Sequence, residues 1–306
     1  STAFQMGKYE ITIGQYTEFL NTVAKSDPYG LWNPVMQSNL GMAGIARAGV
    51  SGSYTYTAMT PSGVNPLGAS SPTNRPISSV SWFDAARFAN WMHNGQGRGS
   101  TEEGAYSLVN GQTAGTAPAR NARAQYFIPT ENEWYKAAYF DPAINYYYEW
   151  PTGSDQGLAE AQSVGGGWTL PPGGTAPGTA VYYGHHGPAD IDNAGGLSPY
   201  GTMAQGGNVF EWQENGTIRG GSWGSFYYFG GWLALSSKEI TTLSGGYEAE
   251  SNEVGFRVAS SATLTNPTGI APLITSTNSF SGTVGVAFSN TVTASGSTPI
   301  VFGGSN

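Results

Sequence analysis

Few side chains in this 306-residue sequence can do chemistry, and one reactive type is missing altogether. There is no cysteine, which excludes thiolate nucleophiles, thiolate metal sites and disulfides. The histidines are His93, His185 and His186. His185-His186 lies in a Gly-rich stretch near Asp190 and Asp192, a donor set that could ligate a metal. Neighbouring residues seldom both reach one ion in good geometry, so a solvated loop pair is the stronger reading. His93 follows Trp91-Met92 at an expected helix end, where a cation suits the helix dipole. Glu102-Glu103 and Glu248, Glu250 and Glu253 could supply the paired acids of glycoside hydrolysis. Spacing does not set any two of them across a cleft, and a solvated face is the default. No Gly-x-Ser-x-Gly elbow is present, and Gly220-Gly221-Ser222 reads as a turn. Asn215-Gly216-Thr217 is a formal glycosylation sequon.

The elements that must position these groups begin with three helix starts. Thr12-Ile13-Gly14-Gln15, Ser81-Trp82-Phe83-Asp84 and Thr130-Glu131-Asn132-Glu133 each place a hydroxyl at the N-cap and an amide or carboxylate three residues on. In such a capping box the two side chains satisfy orphan backbone donors reciprocally. Apolar stripes at helical spacing follow: Tyr16, Phe19, Leu20 and Val23; Ala85, Phe88, Ala89 and Met92; Trp134, Ala137, Ala138 and Phe140. Residues 24–75, 95–122 and 151–199 read as long loops ordered by their own aromatics, with a hairpin expected around Ala105-Tyr106-Ser107-Leu108. Few helices among long ordered loops predict an α+β body.

Composition narrows the function. Twelve basic residues stand against 20 acidic ones, net −8, with no basic run of the kind a phosphate backbone needs. Nucleic acid is therefore not an expected partner. No apolar run is long enough to span a membrane. Aromatics make up 13% of the chain, which argues against disorder. The acidic, lysine-poor balance fits an exported protein.

Near residue 260 the composition changes. We expect a first domain over 1–260, a linker over 261–269 and an all-β segment over 270–306. The run Gly282-Thr283-Val284-Gly285-Val286-Ala287-Phe288-Ser289 resembles the opening of immunoglobulin-like repeats of bacterial surface proteins. Such a sandwich needs about seven strands, and this stretch offers the first half. Further polypeptide, or a neighbouring subunit adding strands, would have to close it.

Four motifs carry a second resemblance, over residues 6–260. They are Met6-Gly7-Lys8-Tyr9-Glu10-Ile11-Thr12, Pro76-Ile77-Ser78-Ser79-Val80-Ser81-Trp82-Phe83-Asp84-Ala85, Ile128-Pro129-Thr130-Glu131-Asn132-Glu133-Trp134, and a block from Gly207-Asn208-Val209-Phe210-Glu211-Trp212 through Arg219-Gly220-Gly221-Ser222-Trp223 to Gly255-Phe256-Arg257-Val258. In order and spacing these resemble the formylglycine-generating enzyme (sulfatase-modifying factor) family. The resemblance implies a loop-rich, C-type-lectin-like fold. It also implies a copper-binding cysteine pair between the Gly-Gly-Ser and Gly-Phe-Arg motifs, here the interval Gly224 to Val254. The expected positions fall near Gly230 and Leu233 or Leu235, so copper and formylglycine-generating oxidation are not expected. A related iron-dependent sulfoxide synthase would need a His cluster that three histidines do not supply.

Calcium is the other ligand the resemblance implies. One site would use the carbonyls of Gly207 and Val209 and the carboxylate of Glu211, with Ala204 standing where a side-chain oxygen is expected. A second would draw on Asp190, Asp192 and Asn193. The alternative for Glu211 is a carboxylate accepting backbone hydrogen bonds in a buried turn. Phe226, Tyr227, Tyr228, Phe229 and Trp232 fall where the family lines its ligand face; they either meet a peptide, a glycan or another subunit, or pack internally. The expected function is a non-catalytic, exported surface or extracellular structural protein, a pseudoenzyme assembling with copies of itself or with other surface proteins as a filament or layer. The alternatives are a ligand-binding module using 224–254, and an enzyme of unknown chemistry.

Overall fold

The computed structural model describes residues 3–38, 44–59, 73–156, 175, 177–182, 187–225 and 242–261, together with short strands at 159–160, 273–274 and 294–295. Its helices are α1 (Ile13–Val23), the single turn α2 (Val35–Ser38), α3 (Trp82–His93) and α4 (Glu131–Tyr139). All three expected capping boxes form, at Thr12, Ser81 and Thr130. At the first, Gln15 N donates to Thr12 Oγ1 at 3.1 Å and Thr12 N donates to Gln15 Oε1 at 2.9 Å.

A helix of 11 residues such as α1 is too short to hold in water alone, where about 12–15 are needed. Packing supplies the rest. Tyr16, Phe19 and Leu20 are buried, and such side chains contribute roughly 1.5–3 kcal/mol each. Trp134, Ala137 and Ala138 do the same for α4. Phe140 leaves α4 instead and opens a strand, half-buried. The one-sided stripe on α3 understates its position. Every residue from Trp82 to Met92 is buried, so α3 is the central rod of the core. The Phe88 ring lies 5.3 Å from Phe19, 5.4 Å from Trp91 and 5.4 Å from Phe256. Tilted and edge-on pairs of this kind suit the aromatic quadrupole.

Strands are short. In chain order they are β1 (Phe4–Met6), β2 (Ile45–Ala48), β3 (Thr55–Ala58), β4 (Tyr126–Phe127), β5 (Phe140–Asp141), β6 (Tyr146–Tyr147), β7 (Ala159–Glu160), β8 (Thr179–Ala180), β9 (Phe210–Trp212), β10 (Ile218–Arg219), β11 (Val254–Gly255), β12 (Ala259–Ser261), β13 (Leu273–Ile274) and β14 (Ala294–Ser295). Two three-stranded sheets matter most. One is β1-β12-β4, all antiparallel, with Phe4 opposite Ser261 and Phe127 opposite Ala259. The other is β10-β9-β11, where Arg219 and Gly255 flank Glu211 on the central strand. Between β11 and β12 the chain runs only through Phe256, Arg257 and Val258, so one short link joins both sheets.

The hairpin expected at 105–108 does not form. Asn90 from α3 takes its place: Tyr106 N donates to Asn90 Oδ1 at 2.8 Å, and Asn90 Nδ2 donates to Tyr106 O at 2.9 Å. A side chain thus satisfies the backbone that a second strand would have paired. A hairpin does form in the loop region 24–75, where β2 and β3 pair over four residues each. Of the expected immunoglobulin-like segment, the described residues contain only the antiparallel pair β13 and β14. Residues 262–272, 275–293 and 296–306 lie outside the described set. Among the described residues, no helix is long and apolar enough to cross a membrane.

Candidate functional site: a buried charge cluster around Glu211

Glu211 and Arg257 are both fully buried. Arg257 Nε donates to Glu211 Oε2 and Nη2 donates to Oε1, each at 2.6 Å. Trp134 Nε1, from α4, donates to the same Oε2 at 2.6 Å. Arg257 Nη1 donates to the carbonyls of Gly7 at 2.9 Å and Lys8 at 3.2 Å, and Nη2 to Met203 O at 2.9 Å. Every N–H of the guanidinium is therefore matched, the condition a buried charge must meet to avoid a large desolvation cost.

A second buried acid stands beside this pair. Glu10 receives Asn208 Nδ2 at 2.6 Å and Val209 N at 3.3 Å. Burial pushes the Glu10 carboxyl well above the usual range, and the negative charge of Glu211 adds to the push. Arg257 and the two accepted hydrogen bonds pull the other way without reversing it. Two buried carboxylates thus share one arginine, and burial favours the protonated form of Glu10.

Backbone geometry fixes these groups. Gly207 has φ +86°, and a Cβ there would sit 2.2 Å from Val181 O. A Cβ on Gly255 would sit 2.3 Å from Ile77 O. Both glycines allow main chain to approach main chain where any side chain would collide. Asn208, between Gly207 and Val209, holds φ +62° and donates its N–H to Val181 O at 2.8 Å.

The structure brings Gly207, Val209 and Glu211 into one turn and strand, as the sequence resemblance implies. Calcium needs a cage of oxygens with no competing cation. Here a guanidinium already engages both oxygens of Glu211, and the buried Ala204 offers no side-chain oxygen. Among the described residues no group of three His, Cys, Asp or Glu could hold a metal. The donors at Glu211 do not fit calcium. Its partners are side chains of Arg257 and Trp134, not the backbone donors of a buried turn.

The remaining candidates separate. Phe226, Tyr227, Tyr228, Phe229, Trp232, His185 and His186 lie outside the described residues. The base of the segment that holds the aromatics is described. Ser222 Oγ donates to Glu253, and Gly224 N donates to Ser222 Oγ at 3.2 Å. Ser222 and Glu253, which flank the interval Gly224 to Val254 in sequence, are thus tied to each other. Glu248 accepts from Gly115 N and Glu250 from Asn33, so the three nearby acids hold different partners. Glu102 leaves the expected solvated face to pair with the buried Arg87, at 2.8 and 2.7 Å. His93 ends α3, but its Nδ1 accepts from Gln125 N at 3.1 Å and burial lowers its pKa. It acts there as a neutral acceptor, and the expected dipole-matched cation is not what the contacts favour.

Sequence reasoning missed Glu10 and the role of Trp134. The available signal was charge economy: Arg257 is one of only 12 basic residues and sits in an apolar run, so it must meet an acid.

Comparison with known proteins places this geometry. Residues 1–262 match the sulfatase-modifying factor enzyme 1-like domain. Among solved structures, the chain is similar to CarF at 19% identity, covering 85% of this chain and 87% of that one, with a TM-score of 0.48. It is similar to Treponema denticola variable protein 1 at 18% identity, over 64% and 75% of the two chains, TM-score 0.42. PvdO from Pseudomonas aeruginosa follows at 16% identity, over 84% and 80%, TM-score 0.42. Likeness at this level says nothing about activity. No curated protein sequence matches the chain. With the family matched over most of its length and an α+β, loop-rich, formylglycine-generating-enzyme-like body, the chain belongs to the sulfatase-modifying factor enzyme 1-like family and is a member without cysteine.

Proposed function

We propose that this protein is a non-catalytic scaffold of the cell exterior that assembles with other copies of itself through its C-terminal strands. The observation that carries the reading is the use made of Glu211. The carboxylate that the family resemblance assigns to calcium is locked onto Arg257 and Trp134, in a domain with no cysteine to bind copper. What remains of the family block is a rigid frame. The assembly half of the reading is supported by β13 and β14, which pair only with each other among the described residues. An isolated ribbon of two-residue strands is not stable in water and gains from added strands.

Size-exclusion chromatography and negative-stain microscopy of the full chain beside residues 1–262 test this. The expected result is ordered assemblies from the full chain and monomers from the shorter one. A full chain that stays monomeric at every concentration contradicts the assembly reading.

A second reading has one observation in its favour. The tie between Ser222 and Glu253 joins the two flanks of the 224–254 interval, which suits presentation of a ligand face to a peptide, glycan or receptor.

A further inference from the structure

Buried arginines among the described residues mostly pair with an acid, although Arg87 Nη1 has no hydrogen-bond partner. Arg257 meets carbonyls and Glu211, Arg87 meets Glu102, Arg219 meets Glu131, and Arg120 meets Glu133 and Glu214. Arg75 is 2% exposed, yet neither Nη1 nor Nη2 has a hydrogen-bond partner. A buried guanidinium left this way carries a substantial cost, and each such group in a folded protein calls for a reason.

Its backbone is held from two sides. Ile13 N, at the start of α1, donates to Arg75 O at 2.8 Å. Gly14 N donates to Thr73 O at 3.0 Å. On the other side Ile191 N donates to Asn74 O at 2.9 Å, and Asn74 Nδ2 donates to Asp192 Oδ1 at 2.9 Å. The guanidinium is therefore presented from a fixed backbone and not from a loose surface stem. Asp190, itself buried, supplies an opposing charge.

We propose that Arg75 anchors a small-carboxylate binding site between residues 73–76, the start of α1 and the 189–193 turn. Two adjacent Nη groups form a planar fork that matches the two oxygens of a carboxylate. The 2% exposure of Arg75 limits its ligand to a few heavy atoms. Charge selects among oxyanions. A dianionic phosphate would meet Asp190 and a protein of net charge −8, whereas a monoanion is tolerated. The site uses no residue of the Glu211 cluster, and it stands or falls apart from the scaffold reading.

Thermal unfolding of the full chain at constant ionic strength tests it, with sodium acetate replacing sodium chloride and sodium phosphate as a separate arm. Acetate should raise Tm along a saturating curve, and phosphate should not. Arg75→Met should abolish the acetate response; it leaves the buried Asp190 without its opposing charge, so without acetate it should melt below the parent. If that variant does not fold, Arg75→Lys keeps the charge without the fork and should bind acetate about tenfold more weakly. A parent protein indifferent to acetate, or an acetate response undiminished in either variant, overturns the proposal. An equal response to phosphate overturns the assignment to carboxylates.

Discussion

At Glu211, removing one negative charge while keeping the side-chain shape separates the worth of the ion pair from that of the packing. Glu211→Gln would leave Arg257 fully buried and without its counter-ion. Breaking a buried pair from one side costs about 3–5 kcal/mol. Equilibrium urea unfolding should register a loss of that size with an unchanged m-value, and a loss below about 1 kcal/mol would mean that the carbonyls of Gly7, Lys8 and Met203 suffice for Arg257. The prominence of Glu211 was readable in sequence because its motif is specific. Glu10 was not: it lies 198 residues from Asn208, and an acid beside Tyr9 looks like any surface carboxylate. Long-range pairing of buried polar groups leaves no local pattern to read.

Helices were legible because a capping box and a 3.6-residue stripe each have a local physical cause, and Thr12, Ser81 and Thr130 carry both. Strands of two to four residues are too short to express a two-residue period, so β9, β10 and β11 could not be read as a sheet. The start of α3 carries a further consequence. Asp84 accepts from Ser81 N at 2.8 Å and from Ser81 Oγ at 2.7 Å, and burial, aided by the charge of Glu250, raises its pKa to about 7. A folded-state pKa above the unfolded value of 3.8 means that the native state holds the proton more tightly. The stabilisation is complete below about pH 4 and declines as pH rises toward 7, by an amount on the order of 4 kcal/mol. Asp84→Asn keeps an acceptor for Ser81 but cannot ionise. Its stability should decline less steeply over that range than the parent's, as measured by urea unfolding at pH 5 and pH 8, because Glu10 still contributes to the slope. Equal slopes in the two proteins would contradict the assignment.

The matched domain closes on itself: β1, near its beginning, pairs with β12, near its end, and Arg257 ties that sheet to the one holding Glu211. Arg257 reaches Gly7 and Lys8 across about 250 residues of sequence, so a single side chain links the first motif of the family to the last. In this chain the frame is held by charge pairing and aromatic packing, which suits a body whose use lies in carrying other segments. At the heart of the family block a guanidinium engages both oxygens of the carboxylate. Metal analysis of the purified full chain, combined with melting curves in excess chelator and in excess calcium, tests it most directly. No calcium that depends on Glu211 is expected, and substitution of Glu211 should leave the response of Tm to chelator and calcium unchanged. One calcium per chain that is lost to chelator, with a fall in Tm reversed by adding calcium back and abolished in Glu211→Gln, would contradict it.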